Sequence, residues 1–286
     1  MSKNQTTRTA IITGAIRGIG LAIARNLSES GVRCVLTYYD WLEDLDAMHE
    51  TMKKTGTEYH AVQVDLTDPE GAGLAVSSAI ERFGRLDILI NNIERGGWPV
   101  VHGPYTERQW RLEFDTTVTA KWGLFQAALP HLKETGDGAV VNISSISGIV
   151  GRNGPAGHIF PDCYSFSNRS IQLLTETWAR MGAPQVRVNE LMLGFMDTRH
   201  GPRTRGWGIL TEDQKEAILS HTLLGRTGRP EEVARAVRFL AMEAGFMTGA
   251  VVRMDGGYVL GGEKAVPVPA KGVVGEDEPL YGGKKD

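Results

Sequence analysis

The chain is poor in cysteine, with Cys34 and Cys163 the only two among 286 residues. At most one bridge is possible, neither residue sits in a Cys-x-x-Cys pair, and no Cys/His cluster has zinc spacing, so reduced thiols and no structural metal are expected. An excess of charge of one sign is also lacking: 31 basic side chains stand against 34 acidic ones, a net charge of −3. That balance argues against a dedicated nucleic-acid binder or a polybasic membrane-surface protein. No apolar run approaches the roughly 18 to 20 residues of a membrane span, and the polar residues 1–9 lack the apolar region of a signal peptide. A cytoplasmic address and no membrane partner are therefore expected. What is present is 41% hydrophobic and 23% charged residues, the balance of an ordinary globular chain, which excludes disorder as its main state.

Apolar, β-branched runs at 10–13, 34–37, 61–64, 88–90, 139–143, 186–191 and 250–254 alternate with segments of helical period. In one such segment Ala72, Ala75, Val76, Ala79, Ile80 and Phe83 recur at threes and fours, the spacing of one helix face. Strand and helix alternating in this way predict an α/β fold, a doubly wound parallel sheet of about seven strands with helices on both faces. Residues 1–261 read as a single domain. Residues 262–286, with prolines at 267, 269 and 279 and glycines at 272, 275, 282 and 283, read as an irregular C-terminal tail.

Directly after the first strand comes Thr13-Gly14-Ala15-Ile16-Arg17-Gly18-Ile19-Gly20, opening a helix with Ile19, Ile23 and Leu27 on its inner face. Glycines at that junction let the backbone pass close to a pyrophosphate on the helix N-terminus, where free N–H groups and the dipole favour an anion. The spacing is not Gly-x-Gly-x-x-Gly, and tight strand–helix packing alone would also place glycines here.

The turn is joined by Asp65 after the third strand, Asn91-Asn92 after the fourth, Ser145 after the fifth, Tyr164, the segment Gly194 to Thr198, and Met254-Asp255-Gly256-Gly257. Together, and in this order, they resemble the short-chain dehydrogenase/reductase family, with a likeness running from residue 8 to 260. Leu224-Gly225-Arg226-x-x-Arg229-Pro230-Glu231-Glu232-Val233, followed by Thr248-Gly249, is similar to the 3-oxoacyl carrier-protein reductase branch. The resemblance implies a Rossmann-like fold and a nicotinamide dinucleotide. Its binding residues would be Gly14, Ile16, Arg17, Gly18, Ile19 and Gly20 in the turn, Thr37, Tyr38 and Tyr39 after the second strand, and Asp65 and Leu66 after the third. Asn92, Gly194, Met196 and Thr198 complete the set, with Thr198 on the nicotinamide carboxamide and Asp65 on the adenine amino group.

NADP(H) is expected over NAD(H). By resemblance, NAD-preferring members carry an acid where this chain has Tyr38, and Arg17 matches a basic position that faces the 2′-phosphate in NADP-preferring ones. Arg17 as a solvated loop cation is the competing reading. Asp40 stands nearby, but Asp40-Trp41-Leu42-Glu43 is a capping-box pattern that would engage the carboxylate at the second helix.

At the reacting centre the resemblance implies that Ser145 polarises a carbonyl and Tyr164 passes a proton to or from its oxygen. Tyr164-Ser165-Phe166-Ser167-Asn168 puts asparagine where the family has lysine, Thr117 stands where a relay asparagine is expected, and Asn91-Asn92-Ile93-Glu94 replaces Asn-Asn-Ala-Gly with a bulky pair. Residues 152–163 read as an insertion at the rim. Without the lysine, a tyrosine of ordinary pKa near 10 is a poor base at pH 7 but already carries the proton that carbonyl reduction needs. Asn168, one turn from Tyr164, would meet ribose hydroxyls without charge. Arg169 points elsewhere, while His158 and Asp162 are alternative proton carriers. Residues 199–215, with Trp207, Ile209 and Leu210, are expected as a lid, and residues 157–160 with Trp98, Trp207 and Phe195 either line an aromatic pocket or serve as core or lid packing.

Two functions stay open. One is an NAD(P)-dependent reductase of a small-molecule carbonyl, or the corresponding alcohol dehydrogenase. The other is a non-redox or inactive member, acting as a cofactor-binding partner subunit or in elimination or isomerisation. By resemblance, assembly as a homodimer or homotetramer through the helices beginning near Glu107 and Tyr164 and the last strand is expected.

Overall fold

The computed structural model describes residues 7–94, 106–198 and 210–261, with the backbone alone at His158. Seven strands form one sheet: β1 (Thr9–Ile12), β2 (Arg33–Tyr38), β3 (Tyr59–Gln63), β4 (Ile88–Asn91), β5 (Gly138–Ser145), β6 (Val186–Leu193) and β7 (Val251–Met254). Every pairing is parallel, in the order β3-β2-β1-β4-β5-β6-β7. The chain thus winds outward in one direction from β1 and in the other from β4. Loops leaving the C-terminal ends of these adjacent strands part company there, which opens the crevice where open α/β sheets take their ligands.

The strands are apolar on both sides because helices cover both sides. Alternate residues sort accordingly. Ile12, Leu36, Ile90 and Val141 pack under α1 (Gly18–Glu29), α2 (Leu45–Lys53) and α9 (Pro230–Arg238), with Ile23, Leu27, Met48 and Val237. Ile11, Val35, Leu89 and Val140 pack on the other side under α3 (Gly71–Phe83), α5 (Ala120–Glu134) and α7 (Asp162–Gly182), with Val76, Phe125 and Trp178. Phe125 and Trp178 stack at 4.4 Å between ring centroids. Burial of one such large side chain stabilises the fold by roughly 1.5–3 kcal/mol.

Helix α4 (Glu107–Phe114) starts from a capping box made by Thr106 and Gln109, and runs through a π turn over Asp115–Thr119 into α5. The short α6 (Ser147–Val150) follows β5, and α8 (Glu212–His221) begins at a second capping box, Thr211 with Gln214. Two helix starts differ from what capping chemistry predicts, which is Asp40 as N-cap of the second helix and Asp68-Pro69 as N-cap and N1 of the third. The element after β2 is a single turn over Leu42–Asp44 whose N-cap is Trp41, held at φ 63°, rather than Asp40. The helix α3 begins at Gly71, after Asp68 and Pro69 have been used in a turn in which the Gly71 N–H bonds the Asp68 carbonyl at 3.0 Å. Among the described residues no helix is long and apolar enough to cross a membrane.

Candidate active site

The glycine turn is fitted to a close-packed junction. Gly14 and Gly18 adopt φ of 61° and 56°, a left-handed region that glycine enters without steric cost. A Cβ on Gly20 would stand 2.2 Å from the Gly14 carbonyl oxygen, so no side chain is tolerated there. The first turn of α1 has no side-chain cap, leaving its leading N–H groups for an anion. Asn92 fastens the turn from the neighbouring strand: its side-chain amide donates to the Thr13 carbonyl at 2.9 Å, and the Thr13 hydroxyl accepts from the Asn92 and Ile93 N–H groups at 2.9 and 2.7 Å. A dinucleotide fits this cradle.

Arg17 lies at the edge of the turn. Its guanidinium bonds Asp44 Oδ2 at 3.1 Å and lies 3.8 Å from the centre of the Trp41 ring. It is therefore an anchored cation rather than a solvated one, and the unusual backbone of Trp41 presents the ring. Thr37 is buried, Tyr38 is partly buried, and Tyr39 is exposed at the end of β2. Asp65 Oδ1 accepts from the N–H and the hydroxyl of Thr67 at 2.9 and 2.6 Å, and Leu66 beside it is buried. Ile16 is buried and Ile19 packs against the core. Gly194 lies against β7, where a Cβ would meet the Asp255 Cα at 2.7 Å. Beyond it the Asp197 and Thr198 N–H groups bond the Gly228 and Met196 carbonyls at 2.6 and 2.9 Å.

Ser145 is the last residue of β5, and its hydroxyl accepts from the Ser147 N–H at 3.2 Å. Tyr164 sits in the first turn of α7, partly buried and packed against the apolar cluster of Ile146 and Phe160, with Ser145 and Glu94 among its polar neighbours. Burial pushes the Tyr164 pKa well above the ordinary tyrosine value, the Glu94 carboxylate raises it further, and Glu113 adds to it, with Ser145 opposing. Asn168 is fully buried. Its amide donates to Glu94 Oε1 at 2.6 Å and to the Tyr164 carbonyl at 3.0 Å, while its buried Oδ1 has no partner and can accept from a hydroxyl. Thr117 is buried inside the π turn, its hydroxyl likewise without a partner.

Behind these residues lies a cluster with no counterpart in the expectations. At the C-terminal ends of β4, β5 and β6 the face beneath α5 and α7 changes from apolar to polar. The Asn91 side-chain amide donates to Asn142 Oδ1 at 2.9 Å, and the Asn142 side-chain amide to the Thr175 hydroxyl at 2.9 Å. Ser144 bonds Glu190 by a short contact, and the fully buried Lys121 donates to the Ile143 carbonyl at 2.7 Å. Burial lowers the Lys121 pKa against the pull of Glu94 and Glu190, and burial raises that of Glu190 against Ser144 and Lys121. Each member of this pair thus resists its charge because of desolvation and is coaxed back by the other. The sequence signal for Lys121 is its place on the inner stripe of α5 with Leu124, Phe125, Ala128 and Leu132, where a cation is out of place. Glu190, in a strand otherwise buried almost throughout, gives a similar signal.

Among the other candidates, Arg169 is exposed, and Asp162 pairs with Arg152 at 3.8 Å on the surface. The His158 side chain, Trp98, Trp207 and Ile209 lie outside the described residues, as does the tail 262–286. Phe160 and Phe195 form an aromatic wall beside the tyrosine, with centroids 5.9 Å (Phe160–Tyr164) and 5.6 Å (Phe160–Phe195) apart. Tyr258 continues it 5.3 Å from Phe195 and accepts from the Ala156 N–H at 2.9 Å, tying the inserted segment to the turn over Tyr258–Leu260. Leu210 is buried against this wall.

The strand order and the glycine turn at the switch point define a dinucleotide-binding α/β protein. A family model described as enoyl-(acyl carrier protein) reductase matches residues 14–259. The chain is 35% identical to the cis-4-hydroxycyclohexanecarboxylate dehydrogenase of Sinomonas cyclohexanicum, covering 88% of this chain and 96% of that one. It is 29% identical to a 3-oxoacyl-[acyl-carrier-protein] reductase of Staphylococcus aureus, over 89% and 99%. Among solved structures, the NADPH-dependent 3-quinuclidinone reductase of Rhodotorula rubra superposes with a TM-score of 0.77 at 27% identity, over 91% of this chain and 97% of that one. This chain belongs to the short-chain dehydrogenase/reductase family, whose members related to it are NAD(P)-dependent oxidoreductases.

Proposed function

We propose that the protein reduces a small-molecule carbonyl to an alcohol with NADP(H), favoured over NAD(H). The observation that carries this reading is the placement of Tyr164, in the first turn of α7 and packed against Ile146 just beyond Ser145 at the end of β5, where burial drives its ionisation upward. A tyrosine so placed keeps its proton at any ordinary pH and is a donor to a developing alkoxide, not a ready-made base. Ser145, at the mouth of β5, donates its hydroxyl to the carbonyl oxygen and holds it against Tyr164. The glycine turn, the open N-terminus of α1 and Asn92 would hold the pyrophosphate, Asp65 Oδ2 the adenine amino group, and Asn168 Oδ1 a ribose hydroxyl. Bound there, the reduced nicotinamide supplies the hydride. Arg17 favours a 2′-phosphate, because stacking on Trp41 holds its guanidinium in place at low entropic cost. The wall of Phe160 and Phe195 excludes water from the tyrosine and favours a substrate with an apolar body. Exposed Trp110, Trp122, Phe166 and Leu173 on α4, α5 and α7 support assembly as a homodimer or homotetramer.

Tyr164→Phe tests the reading. In an assay of NADPH consumption over a panel of carbonyl compounds, turnover falls by about 10²–10⁴, while NADPH binding, followed by tryptophan quenching, stays unchanged. Turnover that survives the substitution excludes the role given to Tyr164 and leaves the non-redox alternative.

A further inference from the structure

Resting on that reading, we infer that Tyr258 and Phe160 are positioning residues for the reaction: the Tyr258 hydroxyl fixes the inserted segment 152–163, and the Phe160 ring that this segment carries fixes the ring of Tyr164. Neither residue takes part in the chemistry.

Tyr258 is a tyrosine in surroundings that would suit phenylalanine. It is 1% exposed, in a cluster with Ile146, Phe160, Leu210 and Ile218, and a hydroxyl buried there needs a partner. The partner is the Ala156 N–H, which donates to it at 2.9 Å. Ala156 lies in the tight turn Pro155–His158, and its carbonyl accepts from the Phe160 N–H at 3.2 Å. A single residue therefore links Tyr258 to the base of Phe160. The segment has little room to adjust. A Cβ on Gly157 would stand 2.1 Å from the Arg152 carbonyl oxygen, and one on Gly154, at φ 70°, would lie 3.4 Å from the Tyr258 hydroxyl.

The same two ends are joined a second time, through rings. Tyr258, Phe195, Phe160 and Tyr164 form a row with successive centroids 5.3, 5.6 and 5.9 Å apart, each spacing that of a favourable aromatic pair. Phe160 is near-parallel to both of its neighbours, at 11° to Phe195 and 25° to Tyr164. Tyr164 itself stands in the first turn of α7, which has no side-chain cap, so that turn is held by what packs on it. Proton transfer between two oxygens tolerates only narrow limits of distance and angle. The inserted segment thus acts as a clamp on the proton donor.

Steady-state reduction and ring resonances together test the clamp. Tyr258→Phe keeps the row of rings and removes only the bond to Ala156, and kcat falls about tenfold. KM for the carbonyl compound and the tryptophan-quenching titration with NADPH stay as in wild type, because a side chain 1% exposed touches neither ligand. A bond of merely structural value would lower stability and leave kcat of the folded protein alone. Phe160→Leu breaks both connections and lowers kcat by up to about 100-fold, and Phe160→Tyr, which restores a ring, recovers most of that loss. The double variant of Tyr258→Phe with Phe160→Leu is no slower than Phe160→Leu, since the hydroxyl then has no ring to hold. A second readout needs no turnover. In cofactor-free protein with isotope-labelled tyrosine rings, the Tyr164 resonance, identified by its loss in Tyr164→Phe, shifts or splits in Tyr258→Phe, although Phe195 and Phe160 lie between the two in the row. An unmoved Tyr164 resonance, an unchanged kcat in either single variant, or losses that multiply in the double variant overturn the proposal. Phe160→Leu carries the test on its own where Tyr258→Phe fails to fold. Because Tyr164→Phe tests the underlying reading separately, an inactive Tyr164→Phe beside an unchanged kcat in Tyr258→Phe sinks the clamp alone.

Discussion

The two halves of the crevice are built by different means. On the β1–β3 side the candidate nucleotide cradle is made of backbone: two glycines at positive φ, one glycine with no room for a Cβ, and an uncapped helix start. On the β4–β6 side the candidate reacting centre is backed by side chains, with Glu94, Asn168, Lys121, Glu190 and Ser144 on five different elements or loops. The first kind of site cannot move, because a backbone N–H points where the topology sends it. The second can be redistributed, because a charge acts through space and can be supplied from any element that packs nearby. That difference explains how one half keeps the family's pattern while the other departs from it.

The largest effect that would sharpen this contrast is on stability. Lys121→Met removes the buried ammonium that donates to the Ile143 carbonyl and acts electrostatically on Glu190, and chemical denaturation at pH 8 should show a loss of about 1–3 kcal/mol, partly restored in the double variant with Glu190→Gln. The loss depends on pH in a fixed direction. Since the folded-state pKa of Glu190 is already raised, removal of Lys121 raises it further. The unfolded chain then gives up this proton at lower pH than the fold does, so the penalty is small at pH 5 and grows as pH rises through the folded value. A pH-independent loss would mean that Lys121 is merely filling space. Next in size is Gly20→Ala, whose methyl meets the Gly14 carbonyl oxygen and the Asn92 amide. The local shift it forces, costing about 1–3 kcal/mol, should weaken NADPH binding by up to about 100-fold in a tryptophan-quenching titration. Unchanged binding would break the claim that the cradle is backbone. The smallest effect expected is that of Arg17→Ala, a loss of about tenfold in NADPH affinity with NADH unaffected; equal losses for both would remove the 2′-phosphate role.

Most of the fold was legible in the sequence. All seven strands fall within a few residues of the apolar runs, because doubly covered strands must be continuously apolar and glycines punctuate them. The helix starts were less legible: Asp40 and Asp68-Pro69 carry good capping chemistry, yet the chain uses tight turns at both places and begins its helices later. In the site, Ser145, Tyr164 and Asn168 could be named from motif order, and the structure brings the three into one neighbourhood. Lys121 and Glu190 could not be paired by inspection of the chain. They are far apart in sequence, and only the packing of α5 over β4 and β5 brings them within electrostatic reach of each other. Glu94 was visible as a departure from pattern, but as a matter of bulk; that its carboxylate meets the Asn168 amide follows from the fold.

That bond has a consequence for how this chain can vary. Positions 94 and 168 are tied together in this chain, because the carboxylate at one is held by the amide donor at the other. Reinstating lysine at 168 while Glu94 stands would produce a salt bridge in place of a cation on the ribose, so either single reversion yields a mismatched hybrid. A chain carrying one half of the exchange should be a poorer enzyme than a chain carrying both or neither.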